Sequence, residues 1–355
     1  MLLAGLSLLA TACVDTTSSQ GSDTSAAKTE LAGFSCPKRA LTAGSTRAGP
    51  AAGAKLQIVT TVAPITSIVA NVAGDKADVR GIVPEGTNSH TFEPKPSSAE
   101  VMTKADVVFV NGLKLEDPTR ELAEQNRKKG SQVIEMGSLT LRPGQYLYDF
   151  SFPRAGGKPN PHLWTNPPMA ACYAEIAGAT LAKADPANAA SYRRNAKAYV
   201  TKVDQLDRLM TKATGSMPAG NRELLTYHDA YAYFAVHYGW KVLGAIQVSS
   251  FEDPTPREVT SLIRQIKKEK VPAIFGSEVF PSPVLAQIAK ETGVRYVDKL
   301  RDDDLPGEPG KSDHSYLGLM KVDFVTMVTN LGGDASKLEA FDPSDIAPDK
   351  ADYPQ

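Results

Sequence analysis

His90, His162 and His228 each sit inside a local context built around the imidazole: GTNSHTFEP, NPHLWTNP and LLTYHDAYAYF. The chain has five histidines, so three in such settings direct attention to metal chemistry. Imidazole is the commonest side-chain ligand for borderline transition ions such as Zn2+. Taken singly, His90 and His162 would read as surface-loop residues. His228, at a strand end before a helix, would read as a cap or a packed side chain. The surrounding motifs weigh against these plainer readings and favour a metal site assembled from distant parts of the chain. His237 lies in an amphipathic stretch and reads as structural. The aromatics Tyr227, Tyr231, Tyr233, Phe234 and Tyr238 read as core.

The elements that must position these residues alternate strand and helix from residue 55. LQIVTTV (56–62) is a β-branched run, followed by a helix opening at Pro64 and closing near Gly74. Strands are predicted at 79–83, 106–110 and 132–136, with a helix through 118–128 and an S-x-x-E capping box at Ser97 and Glu100. The rhythm returns with strands at 222–227, 241–246, 272–276 and 295–297. Helices are expected at 229–239, from Thr255–Pro256–Glu258 to about 270, from Ser282–Pro283 to Gly293, and at 315–331. Two such β/α units imply an α/β protein of two lobes, each with a mainly parallel four-stranded sheet flanked by helices. Between them, Tyr192, Ala196, Tyr199, Val203, Leu206 and Met210 recur at helical spacing over 187–214. That predicts one rigid linking helix roughly 42 Å long, and small lobe movements.

The expected organisation is therefore an N-terminal lobe at 55–186, the linking helix at 187–214, a C-terminal lobe at 215–332 and a tail at 333–355. In open α/β sheets ligands bind beyond the carboxyl ends of the strands. His90 follows one strand in the first lobe and His228 directly follows one in the second, so both could face the interlobe cleft. His162 is flanked by prolines that would hold it rigidly.

Composition sets the address. Over 355 residues the net charge is −1, and 42% of the chain is apolar. That balance suits a folded, water-exposed protein and gives nucleic acid or an acidic membrane surface no electrostatic support as partner. Residues 2–12 form an apolar run too short to span a bilayer, ending in small residues before Cys13. This resembles a bacterial lipoprotein signal over 1–13, with Cys13 lipidated; a plain secretory signal is the alternative. The stretch lacks a preceding Lys or Arg, and Ala10 stands where leucine is usual. Residues 14–54, rich in Ser, Thr, Ala and Gly, read as a disordered tether with an r.m.s. span of roughly 35 Å. Cys36 falls in that tether, so Cys36 and Cys172 read as unpaired, or joined by a bridge of little consequence.

From about residue 55 to 332 the chain is similar to the zinc- and manganese-specific substrate-binding proteins of bacterial ABC transporters, the cluster A-I or TroA-like receptors. The resemblance is carried, in order, by GTNSHTFEPKPS, NPHLWTNP, DPANAASYRRNAKAY, HDAYAYFAVHYGWKVLG and SDHSYLGLMK. It implies metal ligands at His90, His162 and His228, the last at a position where the family uses His or Glu. It also implies a fourth, acidic ligand shortly before the last helix, which Asp313 matches best. His314 sits next to it, and Asp302, Asp303 and Asp304 are nearby alternatives for that ligand, although LRDDDLPGEPG reads more simply as a solvated acidic turn. Glu278, after the strand at 272–276, reads at most as a group behind the ligands. Some zinc receptors of the family carry a His- and Asp-rich loop before the second ligand. Here residues 137–161 contain no histidine, and a small apolar insertion takes that place.

Three neutral imidazoles and one carboxylate suit Zn2+, whereas Mn2+ prefers more oxygen ligands. The resemblance therefore implies a non-enzymatic receptor. It would be lipid-anchored outside the cytoplasmic membrane and monomeric, capturing zinc, or alternatively manganese, for a cognate ABC permease. A zinc hydrolase using Asp313 or Glu278 as base is the competing class. It needs an open coordination position, and the chain carries no HExxH motif or nucleophile elbow. A surface adhesin, a role attributed to some relatives, finds no separate adhesive module. Because imidazole must be neutral to bind metal, affinity should fall below about pH 6.

Overall fold

The computed structural model describes residues 28–44, 50, 53–247, 254–277 and 282–354. The lipoprotein-type signal and Cys13 lie outside the described residues, as does Glu278.

Two parallel sheets of the same topology form the body. The first contains β1 (Leu56–Val59), β2 (Ala77–Arg80), β3 (Val107–Val110) and β4 (Gln132–Glu135) in the order β2-β1-β3-β4. The second contains β5 (Glu223–Thr226), β6 (Lys241–Ala245), β7 (Ala273–Ser277) and β8 (Arg295–Leu300) in the order β6-β5-β7-β8. Every pairing is parallel. The central strands β3 (VVFV) and β7 (AIFGS) are buried along their whole length, as strands covered by helices on both faces must be. In each sheet the strand order reverses beside the first strand, which opens a crevice at the carboxyl ends.

The linking helix runs Ala189–Ser216, 28 residues without an internal proline. It buries Tyr192, Ala196, Tyr199, Val203, Leu206 and Met210 on one stripe, against the helix Pro167–Ala184 and the last long helix, Tyr316–Asn330. The approach to Pro167–Ala184 is close because Gly178 faces Ala196. A Cβ at Gly178 would lie 2.7 Å from the Ala196 Cβ, so any side chain there would push the helices apart.

Three expectations are corrected. Part of the presumed tether is folded: residues 28–44 pack on the first lobe, with Leu31 and Ala40 fully buried. Lys183 Nζ donates to the carbonyls of Thr42 and Ala43 at 2.7 Å each, and Glu30 pairs with Arg142 at 3.2 Å. Cys36 and Cys172 form a disulfide that clips this segment to the helix Pro167–Ala184. Long-range packing, which local composition does not encode, brings the two sulfurs together across 136 residues. Finally, the helix Pro96–Lys104 starts two residues too early for a Ser97–Glu100 capping box. Lys95 is its N-cap and Pro96 takes the first turn. The box at Thr255 and Glu258 does form.

The tail returns to the first lobe. Asp352 bridges in parallel beside Arg80 of β2, and Asn71 holds both Asp345 and the Ile346 backbone.

Candidate metal centre

His90 and His228 are delivered by loops leaving the carboxyl ends of strands, and His162 by the long loop that follows the short helix Met136–Thr140. His90 lies in the loop after β2, where its N–H donates to Asn88 Oδ1 at 3.0 Å, a local turn that fixes the backbone. His162 follows Pro161 and opens the short 3-10 turn Leu163–Thr165, which leads into the helix Pro167–Ala184 capped by Asn166. Thr165 Oγ1 donates to the carbonyls of His162 and Ala230, both at 2.9 Å, binding the turn to the second lobe. His228 leaves β5 after two residues, its carbonyl accepting from Thr226 Oγ1 at 2.6 Å.

The three Nε2 atoms converge. His90 and His162 are 3.1 Å apart, His90 and His228 3.2 Å, and His162 and His228 2.9 Å. His162 Nδ1 lies 2.8 Å from Asn160 Oδ1, an oxygen that can only accept, so Nδ1 carries the proton and Nε2 offers its lone pair to the cluster. Asn160 is held in turn by donating to Asp149 and to the Asp229 carbonyl, at 2.9 and 2.7 Å.

The acidic member of the cluster is Asp303. Its Oδ1 is 3.7 Å from His162 Nε2, and one donor atom from each of the four residues lies within 4.8 Å of the others. Asp303 Oδ2 accepts from Ser89 Oγ at 2.7 Å, while the buried Oδ1 accepts no hydrogen bond from the protein.

Asp313, expected as the fourth ligand, is not in the cluster. It is exposed, and its carboxyl lies so close over Gly307 that a Cβ at that glycine would approach it to 2.8 Å. The 302–304 run, held open as an alternative source of the fourth ligand but read more simply as a solvated turn, is inserted between the lobes. Asp302 and Asp303 are 2% and 3% exposed, and Asp304 accepts from the Gly86 N–H across the interface. Asp302 accepts from Tyr231 at 2.6 Å, so its carboxylate is engaged behind the site. His314 is buried beside Tyr353, with Nδ1 3.2 Å from the Pro306 carbonyl, and His237 pairs with Asp207 of the linking helix at 2.7 Å.

Burial dominates the electrostatics. It drives His90 and His162 well below the ordinary imidazole range, with His228 adding repulsion to each, and lowers His228 as well. It raises Asp303 to about 6, against the opposing hydrogen bond from Ser89. At neutral pH the site therefore presents three neutral imidazoles and an ionised carboxylate. Ligand nitrogens about 2.05 Å from a tetrahedral zinc are separated by about 3.3 Å, close to the edges of this triangle. A divalent cation would also satisfy Asp303 Oδ1 and the Nε2 lone pair of His162.

Sequence reasoning does not reach three neighbours of this cluster: Ser89, Asn160 and Phe152. Ser89 and Asn160 lie within the quoted motifs, one and two residues before a histidine. Phe152 lies in the apolar insertion, its ring centroid 5.4 Å from His90 and 5.7 Å from His162. Asp303 carries a positional signal, since it stands three residues beyond β8, at a carboxyl end.

Residues 58–330 match the family model described as "ZnuA: Zinc-uptake complex component A periplasmic". The chain is 31% identical over 280 residues to the iron-binding protein YfeA of Yersinia pestis, covering 78% of this chain and 87% of that protein. It is 27% identical to the manganese ABC transporter substrate-binding lipoprotein PsaA of Streptococcus mitis, covering 76% and 87%. Among solved structures, the periplasmic zinc-binding protein TroA from Treponema pallidum superposes with a TM-score of 0.71 at 26% identity, covering 78% of this chain and 99% of that one. Such proteins are receptors rather than enzymes. With its paired parallel sheets, stiff connecting helix and matched family model, the chain belongs to the TroA/ZnuA family of metal-binding substrate-binding proteins of ABC transporters.

Proposed function

We propose that this protein is an extracytoplasmic zinc receptor that holds one Zn2+ through His90, His162, His228 and Asp303 and passes it to a cognate ABC permease. The observation that carries the reading is the convergence of three Nε2 atoms at 2.9–3.2 Å beside the buried Oδ1 of Asp303. Three nitrogens and one oxygen suit zinc, which accepts four ligands in tetrahedral array; manganese is better served by an oxygen-rich, six-coordinate site. Four protein donors fill a tetrahedral shell, which argues against the open position that zinc hydrolysis requires.

Each lobe contributes two donors. His90 and His162 come from the first lobe, His228 and Asp303 from the second, so an ion at their centre ties the lobes together. Cys13 is assigned as the lipid anchor, consistent with the lipoprotein names of relatives, and the receptor is assigned as a monomer. Manganese is the second reading, favoured by the name of the Streptococcus mitis relative.

Titration of metal-stripped protein with Zn2+ and with Mn2+ tests the proposal. One tightly held zinc per chain, displacing manganese in competition, is the expected result. Preferential retention of manganese would replace zinc with the second reading. Metal-dependent hydrolysis of esters or peptides would overturn the receptor assignment.

A further inference from the structure

We propose that Phe152 fixes the coordination number of the histidine site, and through it the choice of metal. The inference rests on the ligand set proposed above and concerns a residue outside that set.

The loop between the end of the short helix Met136–Thr140 and His162 belongs to the first lobe but bonds to the second. The Leu147 N–H donates to Tyr233 Oη at 3.1 Å, and the Ser151 N–H donates to Asp229 Oδ2 at 2.8 Å. Ser151 Oγ also donates to the Gln247 carbonyl. These bonds hold the stretch leading into Phe152 against the second lobe, and Phe152 is 3% exposed while its near neighbour Phe150 is 50% exposed. Two phenylalanines two positions apart thus have opposite fates, and the buried one lies against the ligands.

The ring reaches both His90 and His162. His90 is the one member of the four-residue cluster that keeps partial exposure, so it is the side from which water would approach the ion. A water held beside a metal needs polar partners of its own, usually two to four in all, and a phenyl ring provides none. An apolar cover at this position therefore disfavours a fifth or sixth, solvent-derived ligand. Zinc loses little by that exclusion, because four ligands complete its preferred shell. Manganese loses more, because it depends on added oxygen donors.

Cobalt(II) provides the test, since tetrahedral complexes absorb visible light far more strongly than five- or six-coordinate ones. Metal-stripped wild-type protein, Phe152→Ala, Phe152→Leu and Phe150→Ala would each be loaded with cobalt(II), and their zinc and manganese affinities measured in parallel. Phe152→Ala should lose visible absorbance by roughly threefold at full occupancy and narrow the zinc-over-manganese preference by roughly tenfold. Phe152→Leu, which keeps an apolar cover, and Phe150→Ala should both match wild type. An unchanged spectrum and preference in Phe152→Ala would overturn the inference. So would a Phe152→Leu protein as altered as the alanine variant, because that would indicate general loosening of the loop. Wild-type protein that binds neither zinc nor cobalt would instead defeat the ligand set and leave its mark before any Phe152 variant is compared.

Discussion

Ser89 Oγ donates to Asp303 Oδ2 at 2.7 Å, joining the residue before one histidine of the first lobe to the acidic residue of the second. One hydrogen bond thus orients the carboxylate and holds the two sides of the cleft in register. Its removal should weaken metal binding without removing a donor. Ser89→Ala is expected to lower zinc affinity by roughly tenfold, as is Asn160→Ala, which releases the His162 ring. Calorimetric competition against a chelator would measure both, and affinities equal to wild type would show that neither contact orients a ligand.

Asp303 and Asp313 make opposite predictions. Asp303→Ala should reduce zinc affinity by more than about 100-fold, beyond the usual effect of losing a supporting contact. Asp313→Ala, at an exposed position, should leave affinity within about twofold of wild type. The reverse ranking would return the fourth ligand to the position before the last helix.

The pH dependence has a defined sign. In the proposed ligand set it is the ionised Asp303 that would hold the metal, and burial raises its carboxyl to about 6, so below that pH a proton would have to leave for each ion bound. The histidines are held below their ordinary range and join only under more acid conditions. Affinity should be level from pH 8 to about 6.5, then fall by roughly one decade per pH unit, steepening as the imidazoles protonate. In Asp303→Asn the first of these declines should vanish while the steeper one remains. Chelator competition across the range distinguishes the two phases.

The Cys36–Cys172 bridge closes a long loop, its ends 136 positions apart in the chain. Chain-entropy arguments assign such a closure about 5 kcal/mol, an upper figure given the strength of other contacts in the segment. The Cys36→Ser variant should unfold at lower denaturant concentration than the wild type, by the equivalent of about 2–5 kcal/mol, yet bind zinc unchanged. Equal denaturation midpoints would show that packing of residues 28–44 suffices without the bridge.

These residues also mark what the sequence can reveal. The alternation of β-branched runs with capped amphipathic stretches is a local pattern, and the two parallel sheets and the linking helix follow from it. His90, His162 and His228 stand out because turn-forming and rigid neighbours surround each one. Asp303 does not, because three consecutive aspartates suggest solvent unless a distant partner is known. Here that partner, Ser89, lies 214 positions away. Cys36 misleads for a related reason: a polar, small-residue segment looks unfolded until Leu31 and Ala40 find their place on the first lobe. In both cases long-range burial overrides a local signal.

The returning tail has a mechanical consequence. The backbone crosses between the lobes in the linking helix and passes back toward the first lobe after Phe341, with Lys202 of the helix bonded to Ser344 of the tail. Two struts cross-braced in this way should resist torsion as well as bending, so the halves are expected to act as one casting rather than as jaws. On that expectation, exchange of the cargo would fall to the small parts facing it, the 84–92 and 301–305 loops. Their mutual latches, Ser89 to Asp303 and Gly86 to Asp304, can open while the frame stays still.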